Sequence, residues 1–315
     1  MSNYESISAA QYDILTEIPS NQQIIFGSFK DPWRVLRRKL STMEEDVTRD
    51  FLIAITHCPP SSWLEIAKKI SRMRPGTHTH RLSYDSDARL GIVKCMPRPE
   101  HGMITRLLGF AVMNLTASYV LPVGPMNLIN TNNSHKEPDE SYIPKTRSDD
   151  EWPGLVVEVG YSQSESSLRQ SARWWLESCP RIVTPGVAIH GVSQVLLVKI
   201  IRQQHIIIIE SWVLGGAPPR STRSLGNRPG VSTLQQAPTI LTRTFNNNTN
   251  SYSTTIQGPA TIPILWEAIH DTPQPAGQGD YILTTTMLHE LGDDFWNSVL
   301  LQRQVPRPSR SDQLV

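Results

Sequence analysis

The stretch that most limits what this chain can become is Trp152-Pro-Gly-Leu-Val-Val-Glu-Val-Gly160. An apolar run bounded by Pro-Gly and by Gly reads as a central strand covered on both faces, where an alternating half-wet strand would show polar residues at every second position. Period-2 geometry sends Leu155, Val157 and Val159 to one face and Val156, Glu158 and Gly160 to the other. Glu158 therefore points into packed structure or a cleft. An unpaired buried carboxylate costs several kcal/mol or neutralises, so a metal, a cation or several donors should stand beside it. A structural ion pair with an arginine satisfies the same demand.

The regular pattern around this strand begins at residue 81. Arg81–Tyr84 and Leu90–Cys95 read as a hairpin, followed by a helix from about Glu100 to Leu115 with an apolar stripe at Ile104, Leu107, Leu108, Ala111 and Leu115. Glu100 lies one turn before that stripe, where it either compensates the helix dipole or joins a site. Tyr119–Ile129 is a broken strand, 130–136 a polar loop, and Glu140–Ile143 a short strand led in by Pro138-Asp139, itself an ordinary turn dipeptide. After Gly160, Ser162-Gln-Ser-Glu165 has capping-box spacing and predicts a helix over 163–178. Leu168, Ala172 and Trp175 would pack it on the sheet, while Glu165, Arg169 and Arg173 share a second stripe. Two apolar strands follow, Gln194–Ile201 and His205–Leu214.

The flanks are less regular. Residues 1–80 read as an N-terminal extension of helix and loop, 81–214 as the core, 215–260 as a long flexible loop rich in Gly, Pro, Ser, Thr and Asn, 261–305 as a strand and helix packed on the core, and 306–315 as a tail. Lys and Arg number 30 against 29 Asp and Glu, a formal charge of +1, so any basic groove has to be local. Cys58, Cys95 and Cys179 have no metal-like spacing and suggest reduced core thiols. No apolar run approaches a membrane span and the N-terminus lacks the order of a secretory signal. The expectation is an intracellular protein, cytoplasmic or nuclear, without membrane attachment.

Three segments carry a resemblance: MPRPEHGMITRLL (96–108), EPDESYIPK (137–145) and WPGLVVEVGYSQSESSLRQSARWWL (152–176). Helix, three strands, helix, strand, with an acid on each of two neighbouring strands, resembles the PD-(D/E)XK nuclease superfamily. More narrowly it is similar to the restriction-endonuclease-type domain common in bacteria and to its fungal relatives, as is GDYILTTTMLHELGDDFW (279–296). The resemblance implies an α/β fold with a restriction-endonuclease-like core, a central mixed sheet flanked by helices in αβββαβ order. It implies hydrolysis of phosphodiester bonds in DNA or RNA with Mg²⁺ or Mn²⁺, chemistry that asks for hard oxygen ligands and a fixed cation. Asp139 and Glu158 would be metal ligands with the Val159 carbonyl as a third, and Glu100 an accessory acid.

One position departs from the pattern. The family's lysine, two residues after the glutamate, is here Gly160. A cation from the next helix would take its place, Arg173 first and Arg169 second, with Lys145 more remote. An arginine stabilises charge but cannot act as a base. The alternatives are that Arg169 and Arg173 only neutralise Glu158 or Glu165, and that the fold is catalytically degenerate and serves as a binding or structural module.

Overall fold

A computed structural model of the chain describes residues 15–27, 30–43, 51–73, 78–130, 132–148, 151–161, 163–177, 191–215, 232–247 and 250–304. It contains two mixed sheets, and the chain crosses from the first to the second at the site, between Lys136 and Glu140.

The first sheet is ordered β1 (Gln23–Ile25), β2 (Phe51–Thr56), β4 (Leu90–Pro97), β3 (His78–Asp85), β7 (His135–Lys136), β6 (Leu128–Ile129). Two helices cover it: α1 (Pro32–Met43), and α2 (Pro60–Ser71), which starts with proline at its first position, where a missing N–H costs nothing. Leu36 and Leu40 of α1 and Trp63, Ile66 and Ile70 of α2 meet Ile53, Ile55, Leu82, Tyr84 and Val93 in one core cluster. Trp63 stacks on Tyr84 with ring centroids 5.4 Å apart. It also lies over Gly91, where a Cβ would come within 2.2 Å of the indole, so only glycine admits this packing. Cys58 and Cys95 are buried free thiols, as the spacing suggests, and burial pushes Cys58 up to about 11. Cys179 lies outside the described residues.

The helix α3 (Arg98–Thr116) then leads into the second sheet, ordered β14 (Ser251–Gln257), β13 (Thr239–Asn246), β11 (Ile206–Leu214), β10 (Gln194–Ile201), β9 (Leu155–Gly160), β8 (Glu140–Pro144), β5 (Val120–Pro122), with β12 (Ser232–Leu234) also on β11. β5, β8 and β9 are successively antiparallel, and β10 runs parallel to β9 after the crossover helix α4 (Glu165–Glu177). Both faces of β9 are covered, and the alternation is the one its sequence predicts. Leu155, Val157 and Val159 pack with Ile104, Leu108 and Val112 of α3, while Val156 packs with Leu168, Ala172 and Trp175 of α4. A short antiparallel pair, β15 (Ile262–Ile264) and β16 (Tyr281–Leu283), brackets α5 (Trp266–His270). The last helix, α6 (Thr285–Gln304), buries Leu288, Leu291, Phe295 and Trp296 in the same cluster as α3. Among the described residues no helix is long and apolar enough to cross a membrane.

Three expectations need correction. Residues 1–80 include strands β1 and β2, and the hairpin β3–β4, assigned to a core starting at 81, belongs to the first sheet through its pairing with β2. The polar loop 130–136 ends in β7, which pairs with β3. Most of 232–257, read as flexible loop, is β12, β13 and β14. Its threonines are β-branched and suit a pleated, half-covered surface. Leu241 opposite Ile256 supplies the apolar pair, and Asp293 of α6 accepts from the Thr254 backbone and hydroxyl at 2.7 Å each. Composition alone missed that tertiary cover. Residues 216–231 lie outside the described part.

Candidate functional site

Asp139 sits on the crossing from β7 to β8, so within five residues the chain places Lys136 on one sheet and Glu140 on the other. Its side chain is fully buried. Oδ2 accepts from the Val159 backbone N–H at 2.7 Å, which fixes the crossing against β9. Glu158, one residue earlier on β9, is held from the other side: its Oε1 accepts from the Trp175 indole of α4 at 2.6 Å. Each carboxylate is thus locked by a neutral donor before any charge is counted.

The cation between them comes from the first sheet. On β4, Val93 and Cys95 face the core under the helices, so Lys94 projects from the opposite face toward the second sheet. Its ammonium donates to Asp139 Oδ2 at 2.8 Å and to the Val159 carbonyl at 2.6 Å, and stands 4.0 Å from Glu158 Oε2. A second ammonium, Lys136 of β7, lies 3.4 Å from Glu158 Oε1 and within 6 Å of the ring centres of Trp174 and Trp175, at 5.8 and 5.6 Å. Arg81 of β3 approaches Asp139 Oδ1 at 3.7 Å, and His101 of α3 approaches Oδ2 at 3.2 Å.

These neighbours set the protonation states. Burial alone would raise the Asp139 carboxyl, but Lys94, then His101 and Arg81, together outweigh it and hold the group far below the usual carboxylate range. For Lys136 the balance falls the other way: burial pushes its ammonium downward more than Glu158 holds it up. Burial also raises Glu137, against a hydrogen bond from the Leu82 N–H and the charge of Arg81.

Of the residues singled out in the sequence, Asp139, Glu158 and the Val159 carbonyl meet at one ammonium. The others do not join them. Glu100 pairs with Arg202, just past the end of β10, with Arg202 lying 5.9 Å from the Tyr161 ring. Arg169 is committed to Glu210, down to 2.5 Å, and to Glu165 at 3.2 Å; Glu210 also accepts from the Trp212 indole at 2.8 Å. Arg173 is exposed and, among the described residues, makes no ion pair. Nor is there vacant room at Gly160 for a cation from α4: a Cβ there would lie 3.0 Å from both methyl carbons of Leu168. Lys145 donates to the Ala117 carbonyl instead. Lys94, Lys136, Arg81, His101 and Trp175 were missed as site residues. The signal for Lys94 was present, a lysine inside the apolar run Gly91-Ile-Val-Lys-Cys-Met96, out of place for the same reason as Glu158.

A cavity of about 370 Å³ opens beside Glu158 and Lys94, between strands β3, β4 and β7 of the first sheet and helix α4. Among the described residues no cluster of three or more His, Cys, Asp or Glu side chains is placed to hold a metal ion. Around the Lys94 ammonium stand two carboxylates and a backbone carbonyl, with the His101 imidazole beside Asp139 Oδ2. Comparison with protein-family models, with curated proteins and with solved structures finds no match.

Proposed function

We propose that this chain is a nuclease-like protein of the PD-(D/E)XK type, hydrolysing phosphodiester bonds of DNA or RNA with Mg²⁺ or Mn²⁺ at Asp139 and Glu158. The observation that carries the reading is the position of the Lys94 ammonium, held by Asp139 Oδ2 and the Val159 carbonyl with Glu158 Oε2 at 4.0 Å. Acids from separate segments converge on one cation position, and a lysine is present although residue 160 cannot provide it. The sheet supports the same reading through its antiparallel β5, β8 and β9, the crossover α4 and the parallel β10.

The oxygens of the two carboxylates and of the carbonyl suit a hard cation. Asp139, Glu158 and the Val159 carbonyl would hold the ion, which supplies charge to polarise a phosphoryl oxygen and to acidify a water. The chain's own residues do the positioning. Trp175 and the Val159 N–H fix the two carboxylate rotamers. Lys94, turned from the acids toward an incoming phosphate, stabilises its negative charge. Lys136 stands 3.4 Å from Glu158 Oε1 as a second ammonium beside the site.

The same ammonium favours a second reading. Both carboxylates already have cationic partners, which suits a degenerate fold that binds without metal. Calorimetric titration with Mn²⁺ and cleavage of single-stranded and plasmid DNA and of RNA separate the two. In the first reading wild type binds Mn²⁺ and cuts, Lys94→Met binds but does not cut, and Glu158→Ala does neither. In the second, wild type neither binds nor cuts, and Lys94→Met acquires Mn²⁺ affinity without activity.

A further inference from the structure

The cavity beside the site has two unlike ends. Leu52, Leu90 and Ile92 of the first sheet form an apolar wall, and Lys94, Lys136 and Glu158 form a charged end, with Trp174 half-buried at the side. Leu52 and Ile92 are only partly covered by protein, so the wall presents apolar surface that a ligand would remove from water. About 370 Å³ lies near the lower limit for a site that encloses one small molecule. A duplex, whose major groove alone is about 12 Å wide, has no room in it.

Charge narrows the ligand further. Arg81, Lys94, Lys136 and Arg173 line the cavity, and so do Asp85, Glu137, Glu158 and Glu177. Four potential cations against four carboxylates leave no net field to draw in a polyanion, in keeping with the chain's overall charge of +1. A ligand with one phosphate and one flat, weakly polar ring uses both ends: the phosphate meets Lys94 and Lys136, with the Arg173 charge also lining the cavity, and the ring lies against the apolar wall and the Trp174 indole.

We infer that this cavity binds one nucleotide unit bearing a single phosphate, free or at the unpaired end of a strand, and excludes duplex. The inference deepens the proposed function and rests on it only for cleavage; nucleotide binding stands separately. It also assigns the first sheet a role, since β2, β3, β4 and β7 line the cavity beside Glu158.

The test uses the full chain in EDTA with a fluorescent nucleoside 5′-monophosphate. Competitors are the unlabelled monophosphate, a 5′-phosphorylated single strand and an end-closed duplex. The expected result is binding in the micromolar range, competition by the first two and none by the closed duplex. Ser171→Trp, which fills the cavity from α4, and Arg173→Glu, an exposed reversal that leaves folding intact, should each weaken binding about tenfold or more. Competition by the single strand at monophosphate strength assigns the ligand to strand ends, and competition by free monophosphate alone assigns it to the free nucleotide. Absence of monophosphate binding, equal binding by Arg173→Glu, or competition by the closed duplex overturns the inference. Binding that both variants lose, without Mn²⁺-dependent cleavage, retains the pocket and removes the nuclease. Cleavage of closed duplex by Ser171→Trp retains the nuclease and removes the pocket.

Discussion

Lys94→Met removes the charge that the two acids share while keeping an unbranched apolar chain on β4. At an effective dielectric near 20, unit charges 2.8 Å apart attract by about 6 kcal/mol and at 4.0 Å by about 4 kcal/mol. Most of that gross attraction offsets the several kcal/mol needed to take the ammonium and the carboxylates out of water. The loss is also limited by what stays behind. Asp139 retains the Val159 N–H at 2.7 Å, His101 at 3.2 Å and Arg81 at 3.7 Å, and Glu158 retains Trp175 and Lys136. A net destabilisation of about 3–4 kcal/mol follows, within the range for breaking a buried pair by deleting one partner. Urea unfolding measures it directly, and in thermal unfolding it corresponds to a decrease of roughly 5–10 °C. Pairing Lys94→Met with Asp139→Asn should recover about 1–3 kcal/mol of the summed single losses, because the neutral amide no longer strands a charge. An unchanged Lys94→Met variant, or additive single losses, would refute the view that these groups form one buried unit.

Arg173→Ala should change stability by less than about 0.5 kcal/mol in urea unfolding, since the side chain is exposed and unpaired among the described residues; a large loss would show a partner the geometry lacks. Gly160→Lys, which puts a lysine where the resembled nuclease pattern has one, should destabilise by about 1–3 kcal/mol through its 3.0 Å approach to Leu168, and retained wild-type stability would disprove that fit. Asp139 has a depressed folded-state pKa, so the unfolded chain takes up its proton first. Its stabilisation is therefore complete above about pH 4 and is lost as pH falls, by about 1.4 kcal/mol per pH unit while the two states differ by one proton. Urea midpoints between about pH 4 and 2 should accordingly fall less steeply for Asp139→Asn than for wild type.

The central strand was legible because its signal is local: an apolar run with one carboxylate, bounded by glycines, fixes burial and face together. The helices α3, α4 and α6 were legible for the same reason, through periodicity at 3.6. The cation was not. Lys94 acts on Asp139 from 45 residues away and on the Val159 carbonyl from 65, and it reaches both only because two sheets face each other. Periodicity shows which way Lys94 points along β4 but not what stands opposite. Arg173 illustrates the converse error. Its stripe on α4 was read correctly, yet the place at Gly160 meant to receive a cation is occupied by Leu168 of the same helix. The strands β13 and β14 were lost to composition, because threonine and asparagine count toward loop until α6 is seen lying over them.

The bond from Lys94 to the Val159 carbonyl ties assembly to charge. A chain beginning at α3 would still carry both acids, with Lys136 beside Glu158 and His101 beside Asp139, but would lack the Lys94 ammonium the two acids share and the Arg81 guanidinium. Docking of the segment before α3 therefore supplies the ammonium that both acids share as well as strands that line the cavity beside Glu158.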